Sequence, residues 1–220
     1  MIKDPNLVKY SNKVVRSAQR LSLLEQRILY SAIAKSPADH QITCEDVFYL
    51  RLEELRRLGG AVSNDTYQQL KDAAINLMRR FITLSPKDRE KGMTWVFPWC
   101  QSAGYNEELG MIAIRFSHDI LPYLKGVRER FIQYDLEEIT GFRSVYTQPL
   151  YARLMLHMRN KDNGGIKQRW SETIPLDELR PTLDAEKYTA FGQFKLRVLN
   201  VAVQQINDSV FTRFNVKWAV

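Results

Sequence analysis

Phe191-Gly-Gln-Phe-Lys-Leu-Arg-Val-Leu-Asn200-Val-Ala-Val-Gln-Gln-Ile-Asn-Asp-Ser209 reads as one long amphipathic helix. On a helical wheel Phe191, Phe194, Val198, Val201, Ala202 and Gln205 gather on one side. Gln193, Leu196, Arg197, Asn200 and Gln204 gather on the other. The first side is a core face. The second carries Arg, Gln and Asn, which can make paired hydrogen bonds to guanine or adenine edges. A helix that reads duplex DNA does so mainly from its N-terminal half. That singles out Gln193, Arg197 and Asn200, with Lys195 on the flank for a phosphate and Leu196 for a thymine methyl. Lys187, just ahead of the helix, joins this candidate DNA-binding set. The same spacing also fits a surface helix with a solvated face, the ordinary arrangement.

Working outward, Pro175–Arg180 is a short helix closed by Pro181, and Trp170–Ile174 is a short strand. Lys161–Gly165 is a turn, and Pro149–Arg159 is an apolar helix with Leu150, Leu154 and Met158 on one face. Phe131–Asp135 before it and Phe214–Val220 at the end read as strands. Helix, turn, short helix, long helix, strand is the order of a winged helix.

The first half repeats that order. Ser22 and Glu25 have capping-box spacing and open a helix to Lys35. Val47–Leu52 is a strand, Glu53–Leu58 a short helix, and Gly59-Gly60 a turn. Ser63, Asn64 and Asp65 offer N-caps to a helix over Thr66–Arg80. Tyr67, Leu70, Ala74, Leu77 and Phe81 form its inner face; Gln68, Asp72 and Arg79 face outward. Phe81–Leu84, Met93–Trp99 and Gly110–Phe116 read as strands. Ser63, Asn64, Gln68 and Lys71 are the candidate DNA contacts here, with Arg57 beside them, although Asp72 repels a phosphate. The boundary falls at the short polar stretch Lys125–Arg128. The predicted fold is therefore α+β, two tandem winged-helix domains over residues 1–126 and 127–220.

The charge fits a polyanionic partner. Lys and Arg outnumber Asp and Glu 32 to 25, a net +7. Residues 1–130 hold 20 basic and 15 acidic side chains, and 131–220 hold 12 and 10, so the excess sits in the first half. The N-terminus lacks the apolar core of a signal peptide, and no apolar run approaches a membrane span. Cys44 and Cys100 have no metal-ligand spacing and read as buried free thiols of a reducing compartment. A cytoplasmic protein is expected.

Catalytic, cofactor and metal sites are not expected. His40, His118 and His157 stand apart, and there is no phosphate-binding glycine loop. His157, within an apolar helix, reads as a core or interface histidine. The pairs Glu53/Glu54, Glu107/Glu108 and Glu137/Glu138 are sequence neighbours, which point apart on a helix and read as surface charge.

Several stretches together resemble the iteron-binding Rep family, the replication initiators of theta-replicating bacterial plasmids. They are Leu21-Ser-Leu-Leu-Glu-Gln-Arg-Ile-Leu-Tyr30, Phe97-Pro-Trp99, Arg130-Phe-Ile-Gln-Tyr134 and Pro149-Leu-Tyr-Ala-Arg-Leu154. The pattern Tyr188-x-x-Phe191-x-x-Phe194-Lys-x-Arg197-Val-Leu-x-x-Ala202-Val-x-x-Ile206-Asn207 joins them. The resemblance covers nearly the whole chain. It implies two winged-helix domains that bind short origin repeats, iterons, as double-stranded DNA. It implies that monomers help to open the origin, while homodimers bind an inverted repeat and repress their own gene. It also implies a host replication initiator and a replicative helicase as partners. Most base contacts would come from the second domain, with Gln193, Lys195 and Arg197 in the DNA-facing stretch. The first domain would supply the dimer interface and further DNA contacts. Leu196 departs from the family, standing where arginine or lysine is common. Val220 ends the sequence where a second wing would turn back, so a shortened second domain is expected. Two other readings stay open: a winged-helix repressor with no replication role, and a protein-interaction module.

Overall fold

The computed structural model describes residues 7–36, 41–58, 66–84, 92–124, 131–158 and 171–219. The Gly59-Gly60 turn, the Lys125–Arg128 boundary and the Lys161–Gly165 turn lie outside these.

The first half is built round one enclosed helix. After β1 (Leu7–Ser11) and the single turn α1 (Asn12–Val15), Ser22 caps α2 (Leu23–Lys35). The capping box forms as predicted. Ser22 Oγ accepts from the Glu25 N–H at 3.3 Å, and the Glu25 carboxylate accepts from the Ser22 N–H at 2.7 Å. Ile28, Leu29, Tyr30, Ala32 and Ile33 are all buried, so α2 is apolar on nearly every side. Against it pack β2 (Phe48–Arg51), α3 (Leu52–Arg57) and α4 (Thr66–Leu77). Leu70, Ala74 and Leu77 of α4 face inward as expected, but Phe81 is half exposed. It opens β3 (Phe81–Thr83), where side chains alternate between faces instead of following the helix.

The strands differ from expectation in number and pairing. Predicted Met93–Trp99 contains only β4 (Val96–Pro98), which pairs antiparallel with β3. An unpredicted strand, β5 (Cys100–Asn106), makes the hairpin with β6 (Met111–Phe116), and β6 also pairs with β2. Ser102, Gly104 and Asn106 have low strand propensity, so β5 is set by its partner. Its turn is local chemistry: Asn106 Oδ1 accepts from the Leu109 N–H at 3.0 Å, and Gly110 takes φ +55°. Cys100 is buried, which pushes its thiol up to about 12; Cys44 is half-buried, not buried as expected.

β7 (Phe131–Asp135) pairs antiparallel with β1, matching Val8 to Tyr134 and Tyr10 to Ile132. The start of the second half is thus hydrogen-bonded to the start of the first. Beneath this ribbon lies a buried polar network. The Tyr30 hydroxyl donates to Gln148 Oε1 at 2.8 Å, and Gln148 Nε2 donates to the hydroxyls of Tyr134 at 2.8 Å and Tyr10 at 3.1 Å. Burial pushes the Tyr10 phenol up to about 12 and raises those of Tyr30 and Tyr134, so all three keep their protons.

Gln148 belongs to α5 (Thr147–Met158), the apolar helix of the second half. α6 (Leu176–Thr182) follows; Pro181 lies inside it and the helix ends one residue later, where the Thr182 hydroxyl donates to the Glu178 carbonyl at 2.9 Å. The long helix is continuous over 191–208, as α7 (Phe191–Phe194), a π turn (Lys195–Leu199) and α8 (Asn200–Asp208). Residues 171–174 and 214–219, predicted as parts of strands, form none; Trp170 and Val220 lie outside the described residues. Phe214, Val216 and Trp218 still alternate inward, as strand residues would. The Asn207 side chain stands in for a neighbouring strand, donating to the Val216 carbonyl at 2.9 Å and accepting from its N–H at 2.6 Å.

Glu138 overturns its expected place on the surface. It is 5% exposed, in a short 3-10 turn (Leu136–Ile139). Its carboxylate accepts from the Tyr151 hydroxyl and the Arg213 guanidinium, pinning the segment after the long helix to the start of the second half. His157 is half-exposed, in a cluster with Arg153 and Glu172, its Nε2 being 2.7 Å from the Glu172 carboxylate. The halves meet again where Thr182 Oγ1 lies 3.3 Å from the Arg16 carbonyl and the Arg20 guanidinium lies 3.7 Å from Asp184 and 3.6 Å from Glu186. Arg20 and Asp184 both hold left-handed backbones, φ 48° and 52°.

Candidate nucleic-acid interface

Along the long helix the inward side chains are occupied and the outward ones are free. Phe194, Val198, Ala202 and Ile206 are fully buried. Gln205, predicted to face the core, does so as a polar clamp. Its Oε1 accepts from the Arg143 and Ser144 N–H groups at 2.9 and 3.1 Å and from the Thr147 hydroxyl at 3.0 Å. Gln193, Leu196, Arg197, Asn200 and Gln204 are all exposed, as predicted. Among the described residues no hydrogen bond or ion pair holds the side chains of Gln193, Arg197, Asn200 or Gln204. Such a row of Gln, Arg, Asn and Gln can meet donors and acceptors on base edges without first breaking internal bonds.

The start of the helix suits a phosphate. Ala190 stands at the N-cap and offers no side-chain acceptor, so the first-turn N–H groups are unclaimed by a cap. A Cβ placed on Gly192 would meet nothing within 4 Å, so that side of the first turn is open. Lys195 and Lys187 are exposed; their ammonium groups lie 5.2 Å from the Trp218 ring centroid and 5.3 Å from that of Tyr188. At the other end, the helix borders a cleft of about 520 Å³ lined by Gln204, Asp208, Phe211 and residues 140–143. Exposed Arg143 in this wall was not predicted. It sits in irregular backbone ahead of α5, where helical periodicity carries no signal.

In the first half, the two predicted contacts that lie among the described residues already have partners within the chain. Gln68 is exposed, but its Nε2 donates to Asp72 Oδ1 at 2.9 Å. Lys71 is half-buried with its ammonium 4.2 Å from the Tyr105 ring centroid. Ser63 and Asn64 lie outside the described residues. Among the described residues no group of three His, Cys, Asp or Glu side chains is placed to hold a metal ion, and no helix is long and apolar enough to cross a membrane.

The fold and the unengaged helix face define the class: two winged helices in tandem, tied by a shared strand pair. Residues 7–155 match the family described as Initiator Replication protein, WH1, and residues 175–220 match Initiator Rep protein, WH2. The chain belongs to this family of replication initiators. The PI protein of Escherichia coli is 24% identical over 237 residues, spanning 94% of this chain and 75% of that protein. A Replication initiation protein of Escherichia coli is 28% identical over 156 residues, 71% of this chain and 46% of its own. The solved structure of the Pi initiator protein in complex with iteron DNA superposes with a TM-score of 0.73 at 22% identity, covering 94% of this chain and 87% of that one, and so has the same fold.

Proposed function

We propose that this chain is a plasmid replication initiator that binds double-stranded origin repeats, iterons, and has no catalytic site of its own. The observation that carries the reading is the exposed, unengaged row Gln193, Arg197, Asn200 and Gln204 beside an uncapped helix start. A relative of the same fold was solved on iteron DNA, which supports it. Residues 127–220 read sequence. Residues 1–126 position the protein through Ser63, Asn64, Gln68 and Lys71 and form the homodimer. Monomers act at the origin, and dimers bind an operator inverted repeat and repress the gene. The host initiator and the replicative helicase are its protein partners, and it works in the cytoplasm, where plasmid DNA lies.

A footprint on the DNA flanking its own gene tests this. Protection of direct repeats is expected, with affinity falling steeply as salt rises, because each neutralised phosphate releases counterions. No protected repeat, or a flat salt response, would overturn the reading.

A further inference from the structure

The long helix carries one residue more than its core face needs. Phe194, Val198, Ala202 and Ile206 are fully buried and spaced by four. In a regular α-helix three steps of four residues rotate a stripe by about 120°, which would swing Ile206 away from the side of Phe194. The π turn cancels the drift: the Asn200 N–H donates to the Lys195 carbonyl, five residues back instead of four. With one of the exposed residues 195–197 left out, Phe194, Val198, Leu199, Ala202 and Ile206 would fall at i, i+3, i+4, i+7 and i+11. That is a regular α-helical face, needing no π turn.

The surplus therefore lies among Lys195, Leu196 and Arg197, three exposed side chains in succession. Lys195 leans toward Trp218. Leu196 is 57% exposed in the middle of a polar row, where it adds nothing to the core. Its methyl groups can leave water only against something apolar that arrives from outside. In the major groove the apolar group on offer is the C5-methyl of thymine. We propose that Leu196 is the residue the π turn accommodates, and that it sets sequence specificity by covering a thymine methyl. The inference rests on reading this face as the DNA-binding one.

The test uses the full chain and sequence selection from randomised duplexes. Deleting Leu196 is expected to leave a cooperative melt no lower than wild type. It should change the selected sequence and weaken binding to the wild-type repeat about tenfold or more. Leu196→Ala, which keeps the π turn, supplies the second arm. Deoxyuridine in place of one thymine should weaken wild-type binding about fourfold, the worth of one buried methyl, and leave Leu196→Ala indifferent. A deletion variant that unfolds or selects the wild-type sequence overturns the proposal, as does a wild type blind to every deoxyuridine. If wild type selects no sequence at all, the DNA-reading function itself fails, which is a separate result.

Discussion

Among single residues, those facing outward from the long helix were the most legible. Apolar periodicity within one helix is local information, and it placed Gln193, Leu196, Arg197, Asn200 and Gln204 on the exposed side. Arg197→Ala is expected to weaken repeat binding by about 1–3 kcal/mol and relax preference at one base pair, measured by titration against single-base variants. Equal binding to all of them would show that Arg197 reads nothing. Gly192→Ala separates stability from function. It should raise helix stability by up to about 1 kcal/mol, since no atom crowds the new methyl. It should also weaken binding if the first turn closes on a phosphate; unchanged affinity would place the backbone elsewhere. Asp184 tests pH. Partial burial of its half-exposed carboxylate raises its pKa, with Arg20 opposing. The folded state then holds the proton more tightly than the unfolded one. Between the ordinary and raised values, stability from this group falls as pH rises. Asp184→Asn tolerates the left-handed backbone and removes that fall. The variant should gain on wild type between acid and neutral melts, and a constant gap would refute the assignment. Buried Glu138 was illegible, because its partners Tyr151 and Arg213 are distant in sequence.

At the scale of elements, legibility tracked the distance to the partner. α2 was readable from its capping box and apolar run. β1 and β5 were not, because a strand is fixed by the chain that pairs with it. Leu7–Ser11 finds its partner beyond residue 130, and the small polar residues of β5 carry almost no signal. The π turn was hidden for a related reason. A wheel drawn at a uniform angle per residue keeps five of the outward residues outward and misses the extra one. The tyrosine–glutamine network welds four of these elements, β1, α2, β7 and α5. Gln148→Leu would strand the Tyr30 hydroxyl and leave those of Tyr10 and Tyr134 only their 3.4 Å contact with each other, and should cost about 1–3 kcal/mol, read as a lower urea midpoint at constant slope. An unchanged midpoint would mean the hydroxyls find other partners.

For the whole molecule, the shared strand pair and the Arg20 contacts with Asp184 and Glu186 tie the halves together, so they are expected to unfold as one cooperative unit. Trp99, buried in the first half, and Trp218, half-buried in the second, are natural reporters. Within each variant that retains one of them as the sole tryptophan, fluorescence and far-ultraviolet circular dichroism should report the same melting temperature. Two separate transitions would show that the halves unfold independently. This joining matters for the proposed recognition, because the spacing between the halves is then fixed by packing and not by a loose tether.

The pairing of β1 with β7 also has a consequence for synthesis. Tyr10 leaves the ribosome 124 residues before Tyr134, its neighbour in the buried network. At about 5–20 residues per second, the first strand waits roughly 6–25 s for its partner. During that interval the apolar side of β1 and the core-facing tyrosines have no cover. The nascent chain is then a client for whatever holds exposed strands in the cell, until a strand made past the middle of the sequence closes over its first-made segment.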